Sequence, residues 1–192
     1  MLVTLENREV SNAEIARHIC PGDRLSQAFA EGALPRDFGR FGGMGRSRFY
    51  SPREVSIIAT AWELGRLGVT LNDAFRLSRG TSDPVLLFVA DHPGGADFEG
   101  LTAKQRKAAM QTLAENLPNW RWVFVPAKAQ DAGGDLADAY ALKSADDIAK
   151  KAASCSGGTI CDLREVARRL AARLEAPLYR VSVADGGAEG AA

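Results

Sequence analysis

The sequence has few cysteines, no long apolar run and no net charge. Three cysteines in 192 residues is an odd count, which argues against a disulfide framework. The longest apolar runs are short, such as Val85–Ala90, so no segment is predicted to cross a bilayer. The first residues lack the basic start and apolar middle of a signal peptide, so we expect a cytoplasmic protein with no membrane partner. Hydrophobic residues make up 46% of the chain, which excludes wholesale disorder.

Lysine is absent from the first 103 residues. All 11 basic residues before position 81 are arginine, and the first lysine is Lys104. Positions 36 to 53 hold five arginines and one acidic residue, Asp37. The guanidinium group is a planar fork of donors that suits phosphate oxygens and base edges. A GC-rich genome also favours arginine over lysine, so this composition is weak evidence for nucleic-acid binding when taken alone.

The first 80 residues carry the start and stop signals of short helices. Ser11 is a predicted N-cap, and Cys20-Pro21-Gly22 ends the first helix in a tight turn. Asp23 is the predicted cap of a second helix, which Gly32 closes. Two short helices joined by a sharp turn form a helix-turn-helix candidate. Residues 36–50 contain four glycines between aromatic residues, which predicts a mobile hairpin or wing.

A second pair of helices follows the predicted wing. Ser51-Pro52-Arg53-Glu54 is a strong helix start, because serine caps, proline suits the first turn and glutamate reaches back. That helix is predicted to end near Leu67. Thr70 caps another helix, Leu71–Arg79.

The pattern changes after residue 80. Residues 81–84 are interpreted as a linker, and the apolar run Val85–Ala90 as a buried strand. Residues 85–184 then predict a small α/β domain, and residues 185–192 a disordered tail. The predicted fold class is therefore α+β, with an N-terminal helical domain (1–80) before the α/β domain. The further elements expected are helices capped by Thr102, Ser144 and Asp162, strands at Trp120–Val125, Tyr140–Leu142 and Leu178–Val183, and a loop at Cys155–Cys161.

Four motifs of the N-terminal domain occur in the order found in one known family. They are Gly32-Ala-Leu-Pro35, Arg48-Phe-Tyr50, Ser51-Pro-Arg-Glu54 and Leu64-Gly-Arg-Leu-Gly68-Val-Thr-Leu71. In this order, Ser11–Ser78 resembles the winged helix-turn-helix DNA-binding domain of the MerR family. The resemblance implies DNA binding and, as in most members, a dimer. The chain departs from the family in having Ser26-Gln27-Ala28 after Leu25, where members usually have Arg-Tyr-Tyr, and in stopping at Gly80 and Pro84 before any long coiled-coil helix.

Eight residues are predicted to contact DNA. An α-helix fits the major groove, where glutamine pairs with adenine and arginine with guanine. Glycines in a wing let its backbone approach phosphates, which arginine neutralises. The predicted contacts are Arg24, Ser26 and Gln27 on the second helix, and Arg40, Arg46, Arg48, Tyr50 and Arg53 in and after the wing. Tyr50 has an equally good interpretation as a core residue at the wing base. A nucleotide-binding loop is disfavoured, because the Gly-x-x-x-x-Gly-Lys-Ser/Thr pattern is absent.

Two other groups of residues suggest chemistry less strongly. Cys155 and Cys161 would offer a soft metal two thiolates, but no histidine is nearby, so we predict ordinary thiols and no cofactor. Asp91-His92 follows the predicted strand end, where α/β enzymes often place catalytic groups. No serine or cysteine nucleophile pairs with it in the sequence, so the chain is not predicted to be an enzyme.

The sequence therefore predicts a sequence-specific transcriptional regulator that binds double-stranded DNA as a homodimer. The C-terminal domain would supply dimerisation, or a site for a small-molecule or protein partner. Two alternatives stay open: a protein-interaction adaptor that uses the helical domain, and an enzyme for a small ligand built on the C-terminal domain.

Overall fold

The computed structural model describes residues 2–42, 47–116, 118, 120–127, 140–155 and 157–184. Within them the chain is a mixed α+β protein, as the sequence predicts. None of the helices in these ranges is both long and apolar enough to span a membrane. The helices are α1 (Asn12–His18), α2 (Gly22–Ala30), α3 (Pro52–Arg66), α4 (Leu71–Ser78), α5 (Ser82–Asp91), α6 (Ala103–Asn116), α7 (Ala145–Ala153) and α8 (Leu163–Arg173).

The strands of the described residues form three small sheets. One has the order β1-β9-β5, in which β9 is antiparallel to β1 and parallel to β5. Another has the order β2-β4-β3 and the third the order β7-β6-β8, both fully antiparallel. The strands are β1 (Leu2–Asn7), β2 (Val10–Ser11), β3 (Arg40–Phe41), β4 (Arg48–Tyr50), β5 (Ala96–Asp97), β6 (Trp122–Pro126), β7 (Tyr140–Leu142), β8 (Gly158–Asp162) and β9 (Tyr179–Ala184).

Side-chain caps start several helices where the sequence predicts them. The Ser11 hydroxyl accepts from the Glu14 amide at 3.2 Å. Ser51 and Glu54 form a reciprocal capping box at the start of α3, and Ser144 and Asp147 form one at α7. The cap predicted at Asp23 is wrong: α2 begins at Gly22 and has no side-chain cap.

The predicted strand at Val85–Ala90 is wrong, because these residues lie in α5. The run is apolar all round since α5 packs against both α3 and α8. A helix buried on several faces shows no helical period, so its sequence resembles that of a buried strand. The predicted linker at 81–84 is wrong as well, because residues from Ser82 onward belong to α5. Thr81 is 1% exposed, and Ser82 begins the helix.

The two halves of the sequence share one hydrophobic cluster. It runs from Val10 to Val181 and includes α3, where Val55, Ile58 and Leu64 are fully buried. β1 reaches across to pair with β9, so the first residues of the chain join a sheet with residues 179–184. The loop expected at Cys155–Cys161 contains β8 instead. The predicted tail 185–192 lies outside the described residues.

Candidate nucleic-acid interface

A groove of about 500 Å³ lies between α2, the start of α1 and the β3–β4 hairpin. In the hairpin, Arg40 is opposite Phe49 and Phe41 is opposite Arg48. Three of the residues predicted to contact DNA line this groove, namely Ser26, Arg48 and Tyr50. The groove is thus the place where the predicted second helix and the predicted wing meet.

One face of α2 points into solvent. Leu25 and Ala28, three positions apart, are 2% and 0% exposed and attach the helix to the core. The predicted contact residues Arg24, Ser26 and Gln27 are all exposed. They form a local network: Arg24 Nη1 donates to Gln27 Oε1 at 3.2 Å, and Gln27 Nε2 donates to Glu31 Oε1 at 2.6 Å. The face offers polar groups to a partner but carries little net positive charge.

Arg48 is held by the hairpin and by two aromatic rings. Its guanidinium carbon lies 4.1 Å from the centroid of the Phe29 ring and 4.4 Å from that of Phe41. Nη1 donates to the Phe38 carbonyl at 2.9 Å. Cation–π contacts of this kind stabilise by about 0.5–2 kcal/mol each. Arg48 therefore joins α2 to the hairpin and fixes the shape of the groove.

Replacing Arg48 with alanine should lower the free energy of unfolding by about 2 kcal/mol, since it removes both ring contacts and the part-buried hydrogen bond to the Phe38 carbonyl. Chemical denaturation followed by circular dichroism measures the loss. Arg36→Ala is the matched control, because this arginine is exposed and, among the described residues, only its backbone carbonyl takes part in a hydrogen bond, accepting from Arg48 Nη2 at 3.4 Å. Equal losses in the two variants would contradict a structural role for Arg48.

Tyr50 is a core residue, and its predicted contact with DNA is wrong. It is 1% exposed, and its hydroxyl donates to Asn12 Oδ1 at 3.1 Å. Its ring packs against that of Phe38, with 6.0 Å between the centroids. Burial raises the pKa of the Tyr50 hydroxyl to about 12. Such a side chain supports the base of the hairpin and is closed to a partner.

The other arginines of the predicted wing differ in their surroundings. Arg40 is exposed but forms a two-pronged ion pair with Glu9, which raises the pKa of the guanidinium. Arg53 is exposed at the start of α3, and no carboxylate of the described residues pairs with its guanidinium. Arg46 lies outside the described residues. Arg53 is thus the clearest open cation among the predicted contacts.

The structure adds two residues to this surface that the sequence interpretation missed. Phe41 is 56% exposed, the most exposed large hydrophobic side chain of the described residues, and it lines the groove. Phe29 lines the groove as well, and its ring contacts the same Arg48 guanidinium as that of Phe41. For Phe41, the sequence signal was that aromatic residues alternate with glycines in residues 36–50.

The cysteines and His92 lie in surroundings that differ from one to the next. Cys161 is 1% exposed, and burial raises the pKa of its thiol to about 12, so the metal-binding thiolate is disfavoured. Within the described ranges no three potential metal ligands come together. Asp91 pairs with Arg164 at 3.3 Å, while His92 Nε2 is buried and has no partner among the described residues. Asp91 and His92 are therefore not hydrogen-bonded to each other within the part of the chain that the structure describes.

Comparison with known proteins assigns no family. No protein-family model matches the chain, and no curated protein matches it.

Proposed function

We propose that this protein is a DNA-binding transcriptional regulator whose N-terminal region is a MerR-like winged helix-turn-helix. The observation that carries the proposal is the groove between the exposed polar face of α2 and the β3–β4 hairpin. A helix presented by its polar face beside a hairpin is the pairing with which winged domains enter a major groove and reach the flanking backbone.

From the charges we infer that α2 and the arginines around the hairpin contribute differently to DNA binding. Asp23 of α2 and Glu31, which follows the helix, outnumber Arg24, so we infer that α2 contributes base contacts through Gln27 and Arg24 more than phosphate attraction. The attraction comes from the exposed Arg36 and Arg53. Duplex binding as a homodimer follows from the proposal. It predicts two half-sites about one helical turn, or a multiple of it, apart, and a protein mass in solution twice that of the chain.

The test is fluorescence anisotropy with duplexes from the promoter region of the protein's own gene and its neighbours, repeated from low to high salt. We expect log Kd to rise steeply with log salt. Arg53→Ala should reduce that slope by about one per protomer and weaken binding to all sequences alike. Gln27→Ala should instead cost about tenfold for the preferred duplex and little for others.

Arg173→Ala is the matched control, because this arginine is also exposed but lies at the end of α8, away from the groove. It should leave affinity and slope unchanged. An equal effect of Arg53→Ala and Arg173→Ala, or no binding to any duplex at low salt, would overturn the proposal.

A protein-interaction adaptor is the second candidate, and the exposed Phe41 ring favours it. Aromatic side chains are enriched where proteins bind one another. A salt titration distinguishes the two functions: an adaptor should bind its partner protein with little dependence on salt, lose that binding in Phe41→Ser, and bind no duplex even at low salt.

A further inference from the structure

A second concavity lies behind α2, between α2, α3 and α4. Its volume is about 310 Å³, at the lower end of the range of small-molecule sites. The wall is apolar and comes from three elements: Ala61 and Trp62 of α3, Leu71 and Phe75 of α4, and Val69 between them. Phe75 is 1% exposed, so the concavity reaches the core.

The rim of this pocket is cationic. Arg24 of α2 and Arg66 of α3 line it, and no carboxylate is among its described lining residues. Cys20 also lines it, and burial raises the pKa of that thiol to about 12, so it adds no negative charge. Arg66 is 52% exposed and pairs with Glu63 at 3.2 Å, and Arg24 bonds only to an amide oxygen in the described residues. Both guanidiniums keep donors for a further anion.

Gly65 keeps one side of the pocket open. It is the next-to-last residue of α3, and a Cβ placed on it would meet no described atom within 4 Å. A glycine within a helix costs about 0.5–1 kcal/mol relative to alanine. No tight contact in the helix calls for glycine here. The missing side chain leaves open space at the pocket wall, to which Gly65 and Trp62 both belong.

We propose that this pocket binds a small aromatic carboxylate, with the ring against Trp62 and Phe75 and the carboxylate between Arg24 and Arg66. A planar ring suits an aromatic wall, and a carboxylate accepts charge-assisted hydrogen bonds from a guanidinium fork. Arg24 also belongs to the exposed face of α2. A bound carboxylate therefore holds Arg24 away from a duplex, and ligand and DNA oppose each other's binding to the same extent. This second step rests on the proposed function, whereas the ligand site does not.

The test is isothermal titration calorimetry of the full chain with 2-naphthoate, and with neutral 2-naphthalenemethanol as the matched compound. We expect the carboxylate to bind at least tenfold more tightly. The exposed double variant Arg24→Gln/Arg66→Gln should remove that preference. Gly65→Leu should abolish binding of both compounds by filling the pocket, whereas Ala172→Leu, which adds the same side chain to the exposed face of α8, should have no effect.

Each outcome decides between the alternatives. No binding of 2-naphthoate, equal binding of the two compounds, or unchanged binding to Gly65→Leu would overturn the site. If Gly65→Leu does not fold, the double arginine variant still decides, because both of its positions are exposed. An anisotropy titration with duplex, with and without saturating 2-naphthoate, then tests whether the ligand weakens DNA binding. The ligand should raise the Kd for DNA of the natural protein and leave that of Gly65→Leu unchanged. Ligand binding without any DNA binding would sustain the site and reject the regulator.

Discussion

Replacing Gly95 with alanine should lower the free energy of unfolding by more than about 3 kcal/mol, because the added methyl group has no room. A Cβ at this position would lie 1.9 Å from the Val89 carbonyl oxygen and 2.8 Å from the Val89 carbonyl carbon. Both are backbone atoms of the buried helix α5 and cannot rotate away as a side chain would.

The backbone of Gly95 is also fixed by its own hydrogen bonds. Its amide donates to the His92 carbonyl at 3.0 Å, and its carbonyl accepts from the Leu178 amide at 3.1 Å. These bonds join the end of α5 to the start of β9. Moving the chain to admit a methyl group would therefore break contacts on both sides.

Gly100→Ala is the control for this prediction. Gly100 has a φ of +78°, and a Cβ there would meet nothing within 4 Å. Its replacement carries only backbone strain, about 1–2 kcal/mol. Urea denaturation of both variants, followed by circular dichroism, gives the comparison. Similar losses for the two variants would show that the α5–β9 junction can relax, contrary to our expectation.

The helices with polar caps were predictable because their signals are local. Ser51 and Glu54 are three residues apart and bond to one another's backbone in any context that allows a helix. α5 was not predictable in this way. Thr81 makes no capping bond, and the period of its apolar residues is hidden because α3 and α8 cover it from different sides. Tertiary packing, which the local pattern does not contain, decided between strand and helix.

Strand β1 shows the same limit. Leu5 is 37% exposed, so the segment buries no regular alternating face that would mark a strand. Its partner β9 lies at the other end of the described chain, with Leu5 opposite Val181. The pairing is set by backbone hydrogen bonds to a distant segment, which no local window of sequence contains.

The candidate site was predictable in composition but not in accessibility. The cluster of five arginines in residues 36–53 is visible in the sequence itself. Only the fold shows that Arg48 contacts two rings, that Arg40 pairs with Glu9, and that Arg53 is exposed with no carboxylate partner among the described residues. Those differences arise from residues more than ten positions away or on another strand.

Replacing Glu14 with alanine should lower the free energy of unfolding by about 3 kcal/mol, the loss expected when one partner of a buried ion pair is removed. Glu14 is 7% exposed and accepts from both terminal nitrogens of Arg8 at 2.9 Å, and from the Glu175 amide at 3.1 Å. Arg8 also donates to the carbonyls of Ala176 and Pro177. The pair thus fastens α1, which carries α2, to the segment between α8 and β9.

The pH dependence of stability provides the second measurement on this pair. Burial disfavours the charged form of Glu14, but the hydrogen bonds from Arg8 and the Glu175 amide outweigh it, and the pKa of the carboxyl lies below its usual value. A lowered folded-state pKa means that the contribution is complete above about pH 4.3, the unfolded value, and is lost as the pH falls through the folded value. Glutamine does not titrate, so the stability of Glu14→Gln contains no such pH-dependent contribution. The stability difference between the natural protein and Glu14→Gln should therefore be constant near neutrality and shrink on acidification. A difference that stays constant down to acid unfolding would mean that the pKa of the Glu14 carboxyl is the same in the folded and the unfolded protein, so that the bonds from Arg8 and the Glu175 amide do not favour its ionised form.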